Sequence, residues 1–446
     1  PFMADDRMGN FVQSSINPAL GDSSCNGVEY PPGTNPCTAL GIPGGSDGPN
    51  RQLVPTQFLW FAPRLGVAWD VNGNGKMAVR AGIGRFYQRD RVSPGLGVGT
   101  SPPFSGSASV TRTLDSAASV TGATTPGYGS VSNTLEQEKA NSNYWQWNVA
   151  VEKEVWTNTK LEVAYVGSKG LDLFGQTNLN EVAPANRLAY AQTGNQALRP
   201  LNGTASIGNG NLAMWQHNRD SIYHSLQVAF ASRFGNNSVL AASYTWAKLI
   251  SNTGVGNADG PGLSYNNAYI DSTQPDLERA RGANDRTHSF NASLVLGLPK
   301  FEDKGAFVKN VFGDWEFTSI VQAGTGYPIT VNVGNVPGLD GNGIQGTGSG
   351  SDRVRPNVVE GQSCTADGSN PTQWLNPNAW TMNGYRIGTF GNSGRNICEG
   401  PTLFQVDASV YKNISLSGRV KLQLRFEVFN ILNRNNFISG QSYNYD

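Results

Sequence analysis

The oxygen-rich run Asp70-Val71-Asn72-Gly73-Asn74-Gly75 has the spacing of a cation site. Its first, third and fifth positions match the first half of a calcium-binding loop, where carboxylate and amide oxygens ligate a hard cation. The twelfth position of such a loop holds a bidentate glutamate, and here it is Ala81. The flanking residues alternate apolar and polar, as strands do, and a hairpin turn needing positive φ favours Asn and Gly. The run therefore reads as a turn. The three histidines, His217, His224 and His288, have no HxxxH or HExxH spacing. They read as surface residues. Gly391-Asn392-Ser393-Gly394 is not a GxSxG nucleophile motif, and Gly82-Ile83-Gly84 lacks the third glycine and the helix of a dinucleotide site. No catalytic constellation, metal site or cofactor is expected.

The cysteines are the remaining reactive residues. Cys25 and Cys37 fall in one long polar segment, Cys364 and Cys398 in another, and neither pair is a CxxC. Two local disulfides in an oxidising compartment are expected, with free thiols as the alternative.

The elements that hold these residues declare themselves by rhythm. Ten stretches of about ten to fourteen residues alternate apolar and polar, longer than the roughly five or six residues of soluble strands. Met77, Val79, Ala81 and Ile83 oppose Ala78, Arg80, Gly82 and Gly84. Leu226, Val228, Phe230 and Phe234 oppose Ser225, Gln227, Ala229 and Arg233. Phe404, Val406, Ala408 and Val410 oppose Gln405, Asp407, Ser409 and Tyr411. Similar runs lie at 146–155, 160–165, 240–246, 289–298, 315–322 and 421–428, and the first spans Leu59 to Val71. Short connectors near 72–76, 157–159, 235–237, 299–313 and 415–419 alternate with long ones at about 91–142, 171–220, 253–285 and 332–400. Such a short–long alternation fits an antiparallel transmembrane β-barrel wall, with turns periplasmic and loops extracellular. A membrane strand tilted ~45° needs about nine to eleven residues. Aromatics at strand ends, such as Trp69, Phe86, Tyr87, Tyr144, Trp145, Trp156, Trp246 and Trp315, fit interfacial girdles or ordinary strand packing.

Composition agrees. Of 446 residues 54 are glycine, and only 15 % are charged, against roughly 25 % in ordinary soluble domains. Net charge is zero, which gives no support to a nucleic-acid partner. The polar parity carries mixed charges, among them Arg80, Glu152, Glu162, Arg233, Asp407 and Arg425. These suit a lumen filled by water or protein, or a solvated sheet face. Trp215, Tyr265, Tyr269, Trp374 and Trp380 lie in the long loops and are the candidate ligand-binding residues. They could equally pack the loops internally.

Segments PRLGVAWDVNGNGKMAVRAGIGRFYQRD, NYWQWNVAVEKEVWTNTKLEVAYVGSKG and, above all, FEVFNILNRNNF resemble TonB-dependent outer-membrane receptors, and more closely Oar-like barrels. The resemblance implies a 22-stranded barrel with an N-terminal plug and a TonB box, taking a nutrient ligand into the periplasm. It also implies outer-membrane lipid, TonB and an extracellular carbohydrate, peptide or siderophore-like ligand as partners. Neither plug nor TonB box is found in this sequence. The chain starts at Pro1-Phe2-Met3-Ala4 without a leader and stops at Tyr443-Asn444-Tyr445-Asp446. Residues 1–446 are therefore expected to be a partial barrel domain truncated at both ends. Residues 1–57 would form an extracellular segment, 58–437 the strands and loops, and 438–446 a loop tail. The alternative is a secreted or cell-surface all-β carbohydrate-binding or adhesion protein. Its apolar parity would pack on a second sheet at ~10 Å rather than face lipid.

Overall fold

The structure, a computed structural model, describes residues 7–54, 60–88, 98–104, 106–107, 127–128, 130–137, 141–204, 207, 211–235, 238–253, 271–333, 355–366, 373–386, 389–415, 420–437 and 442–445. Among these residues ten antiparallel strands form the continuous up-and-down path of one 12-stranded sheet. They are β1 (Arg64–Asp70), β2 (Met77–Tyr87), β3 (Asn143–Trp156), β4 (Thr159–Asn178) and β5 (Ala213–Phe234). The others are β6 (Ser238–Ser251), β7 (His288–Gly297), β8 (Trp315–Gly324), β9 (Leu403–Ser415) and β10 (Lys421–Val428). Each pairs with its sequence neighbours, as the alternating short and long connectors require. The first strand starts later than expected because Pro63 has no N–H to donate to the ladder. Its carbonyl accepts from the Arg85 amide as the last rung.

The register keeps the two parities apart across the whole wall. One row reads Trp69, Val79, Val151, Val163, Val228, Tyr244 and Phe290 from β1 to β7. A one-residue slip at any pair would turn these side chains to the other face. Val151 is 37 % exposed, Val163 40 %, Trp246 57 % and Phe426 73 %. Among the described residues no second sheet covers this face. The sandwich alternative required that cover. A continuous exposed apolar face of this extent needs hydrocarbon as its solvent. Two exceptions sit at the turn end. Lys153 lies opposite Met77, and the buried Lys412 donates to the Gly313 carbonyl beside the Trp315 ring. Both positions let the ammonium reach the interface while the stem stays in apolar surroundings. The fourth short connector contains α1 (Ala306–Phe312), with Phe307 and Phe312 exposed at that same end.

Strands β4 and β5, at 20 and 22 residues, exceed their expected lengths. Twenty-two residues at ~3.3 Å each extend about 70 Å, well beyond a hydrocarbon layer of about 30 Å. Their upper halves therefore stand clear of the membrane. The bulge at Gly170–Phe174, with Asp172 at φ 53°, marks where the character of the strands changes.

The FEVFNILNRNNF segment has a local structural reason. After β10 the chain folds back over β9, with Asn430 and Asn433 both at φ 48°. Asparagine tolerates this left-handed conformation better than most residues. The Asn430 amide donates to Asp407, and its side chain both donates to the Arg434 carbonyl and accepts from the Arg434 amide. Asn436 Oδ1 accepts from the Phe404 amide at the top of β9. Side-chain hydrogen bonds thus continue the pairing that the short edge strand β10 leaves off.

Candidate functional site

Each residue that could have done chemistry has a structural occupation. The Asp70 carboxylate accepts from the amides of Gly73 at 3.0 Å and Gly75 at 2.8 Å, so it closes the β1–β2 turn. His224 and His288 are hydrogen-bonded through Nδ1 to Tyr165 at 2.7 Å and Tyr244 at 2.8 Å. His217, expected in a loop, sits in the upper part of β5 and pairs with Glu136. Ser393 is buried in a loop, with its Oγ toward the Gly394 carbonyl. Among the described residues no group of three or more His, Cys, Asp or Glu side chains could hold a metal ion.

What the fold does build is a concave inward face. Arg64, Gly82, Gly84, Gln146, Asn148, Glu162, Ser168, Tyr223 and Gln227 line a trough of about 680 Å³. The polar parity of β1 to β5 puts them there, and Leu65, Ile83, Phe86, Trp147 and Val166 complete the lining. Gly82 is small for a reason: a Cβ would come within 2.9 Å of Asn148 Oδ1. Ala150 and Ala164 continue the floor. Toward the turn end, Glu152 bridges Arg80 and Lys160, with contacts of 2.5 and 2.8 Å. Amides, hydroxyls and both signs of charge make a hydrophilic surface that can hydrogen-bond a polar solute or a protein filling the lumen. Phe86 and Tyr144, which the aromatic clustering grouped with the girdle, belong to this inward parity. Ile320 is the exception of opposite kind, an exposed apolar side chain on the inward parity.

Above the trough, the loops interlock into a cap. Residues 7–54 form a three-stranded sheet stapled by the Cys25–Cys37 disulfide. Its core takes Phe11, Val28 and Tyr30 together with Val131, Leu201, Ile207 and Leu212 from two later loops. The buried Asn10 side chain docks this sheet by mimicking a strand edge. Its amide donates to the Leu135 carbonyl and its oxygen accepts from the Leu135 amide. Residues Asn133–Leu135 in turn pair with the top of β5. A second core, around Ile329, Val331, Ala379 and Trp380, encloses the Cys364–Cys398 disulfide.

Buried ion pairs join these parts. Arg187 grips Asp271 with two hydrogen bonds of 2.8 Å and reaches Glu181 at 3.2 Å. Glu278 meets Arg355 at 2.8 Å and Arg395 at 3.4 Å, and Arg395 donates to the Ser251 carbonyl at the end of β6. Burial pushes the Glu181 carboxyl up from 4.5 to about 7; the Asp271 charge adds to the rise, and the Ser272 amide and Arg187 offset it only in part. Burial also pushes Asp271 up, but hydrogen bonds from Arg187 and Thr273 outweigh it and hold the group below its ordinary value. The folded cap keeps a proton on Glu181 that the unfolded segment releases near 4.5. That contribution is complete below about 4.5 and is lost as pH rises through about 7. Amide exchange at residues 271–278 is therefore expected to speed up, beyond its intrinsic pH dependence, as pH rises through this window. Glu181→Gln should flatten that excess, and an unchanged slope in the variant would contradict the assignment.

The candidate aromatics divide. Trp215 is buried in β5, stacked on Phe174 with ring centroids 5.3 Å apart, and its indole N–H donates to Asn133. Trp380 is buried in the second loop core. For these two, internal packing is the observed role. Trp374 is 40 % exposed and donates to the Glu399 carbonyl. Tyr265 and Tyr269 lie outside the described residues. The buried partners Arg187 and Asp271 were missed by sequence reasoning. They are 84 residues apart, with no spacing signal between them.

A family model described as "Outer membrane beta barrel domain" matches residues 1–445. Among solved structures, the chain is similar to the outer membrane transporter YddB from Escherichia coli, at 9 % identity and a TM-score of 0.44, covering 84 % of this chain and 37 % of that one. The FrpB iron transporter from Neisseria meningitidis matches at 10 % identity and a TM-score of 0.38, over 84 % of this chain and 35 % of that one. FpvA from Pseudomonas aeruginosa, solved with a heterologous pyoverdine and iron, matches at 8 % identity and a TM-score of 0.37, over 84 % and 29 %. The chain thus spans between 29 % and 37 % of the length of these structures. No curated protein matches it significantly.

Proposed function

The chain belongs to the outer membrane β-barrel domain family and resides in the outer membrane of a Gram-negative bacterium, and from that premise we propose that it is part of a TonB-dependent transporter, of the Oar-like kind, that takes a nutrient ligand into the periplasm. The observation that carries the reading is the opposite chemistry of the two faces of one wall. The outward face is apolar and exposed, while the inward parity carries Gln146, Asn148, Glu162, Gln227 and the Arg80–Glu152–Lys160 bridge. In this reading the remaining strands close a 22-stranded barrel, and a plug occupies the lumen against the trough. Loop residues capture a carbohydrate, peptide or siderophore-like ligand, with Trp374, Tyr265 and Tyr269 as the proposed contacts. Plug rearrangement driven through TonB then opens the path, with no covalent step. Trp215 and Trp380 act in this scheme by holding the loops that present the ligand surface.

The test is solute depletion by cells with and without the full-length protein. Cells that have it are expected to clear from the medium at least one solute too bulky for general porins, and to stop when TonB is deleted. Depletion that continues without TonB, or no solute that differs between the two strains, would overturn the proposal.

A further inference from the structure

The outward face changes chemistry at one level near the loop end. One registered row carries Val149, Tyr165, Leu226 and Trp246. The next row up carries Trp147, Gly167, His224 and Lys248. His224 and Lys248 lie directly opposite each other and are exposed. Lys169 stands one row higher on β4, where its ammonium meets Asp220. Arg279 reaches the same carboxylate at 3.4 Å, so two cations share one anion and Lys248 adds a third positive charge. The His224 ring is held by the Tyr165 hydroxyl and stacks on that ring at 16°. The Trp147 indole lies across Gly167, where a Cβ would come within 2.3 Å of it, and its ring sits 6.1 Å from His224.

Height places this cluster. From His224 to Phe234 the strand descends ten residues. At ~3.3 Å per residue and a tilt of about 40° that is about 25 Å, the height of the apolar band on outer-membrane barrels. The cationic row therefore stands at the upper edge of the hydrocarbon, at headgroup level, directly above aromatic and aliphatic side chains.

We propose that Lys248, His224 and Lys169 bind the phosphate of an outer-leaflet glycolipid, whose acyl chains lie down over Trp147, Tyr165 and Leu226. A phosphate bears the complementary charge, and juxtamembrane lysines act on anionic headgroups at this level. A lysine also recognises phosphate as a point charge without demanding a planar fork. The inference goes beyond the transport reading and does not depend on the identity of the transported ligand. It takes the loop end to be extracellular.

The experiment uses the full-length protein in phosphatidylcholine vesicles containing diphosphorylated lipid A in both leaflets, so that orientation does not affect the result. After extraction in mild detergent, retained glycolipid is counted by native mass spectrometry over a range of lipid A content. Wild-type protein is expected to retain lipid A, and Lys248→Gln and Lys169→Gln should each weaken retention about fivefold. Lys248→Arg should keep most of it, which separates lost charge from a damaged fold. Lys153→Gln, at the turn end of the same face, should change nothing. Retention by either glutamine variant equal to that of the wild type would overturn the proposal. So would equal retention of dephosphorylated lipid A, or an equal loss from Lys153→Gln.

Discussion

Arg187→Ala is expected to release the loop cap while leaving the wall intact. The guanidinium is buried, as are both its carboxylate partners, Glu181 and Asp271. Removing it strands two acidic groups away from water, and breaking a buried pair in this way costs about 3–5 kcal/mol. The loss is larger than that of any exposed pair on the wall, because solvent replaces nothing at a buried site. The segment 179–204 would lose its tie to 271–278, along with the Val182 carbonyl contact and the packing of the guanidinium 5.6 Å from the centre of the Phe390 ring. Asp271, no longer held down by Arg187, would take up a proton more readily, so the damage should grow as pH rises. Hydrogen exchange is the measurement. Protection should fall at 181–193 and 271–278 and stay unchanged in β2 and β3. Unchanged protection in the cap segments would mean that the ion pair does not hold the loops together.

The second large effect follows from parity. Val228 lies at the centre of the outward face, between Val163 on β4 and Tyr244 on β6. Gln227 is its chain neighbour and lines the inward trough. Arginine at position 228 would put a guanidinium near the middle of the hydrocarbon, at a cost of about 2–4 kcal/mol. The same residue at 227 would enter a hydrophilic lumen already furnished with Glu162, and its cost should be small. Chemical unfolding of full-length protein from lipid vesicles can compare the two. A soluble sheet with a solvated face would tolerate Val228→Arg and Gln227→Arg about equally. The outer-membrane wall requires them to differ by at least 1 kcal/mol, about fivefold in the equilibrium constant.

Legibility in the sequence follows the solvents on the two sides of the chain. Where one face of a strand meets lipid and the other meets the lumen, the period of two holds with few exceptions, and all ten strands could be read from it. Above the membrane the rule lapses. Residues 171–178 and 213–220 remain in strands, but buried residues fall on both parities of 171–178 and the alternation fades. They accordingly read as loop, and His217 and Trp215 were misplaced with them. The cap core was invisible for another reason. Val131, Leu201 and Ile207 come from loops with no period of their own and meet only in the folded chain. The same holds for Asn10, whose side chain replaces a missing strand edge 125 residues away. Each disulfide, by contrast, joins cysteines of one segment, 12 and 34 residues apart, so their pairing was within reach of spacing alone. Aromatic clustering at strand ends could not tell Phe86 and Tyr144 from Tyr87 and Trp145, because adjacent residues there point to opposite faces.

One face of this sheet meets lipid and the other meets the lumen. Spin labels placed singly from residue 225 to residue 230 of β5, in full-length protein in vesicles, test this directly. Collision rates with oxygen, which concentrates in hydrocarbon, and with a water-soluble nickel chelate report the surroundings of each position. A period of two is expected, with 226, 228 and 230 open to oxygen and closed to the chelate, and 225, 227 and 229 lacking that excess of oxygen. Chelate access at both parities, or no alternation between them, would contradict it.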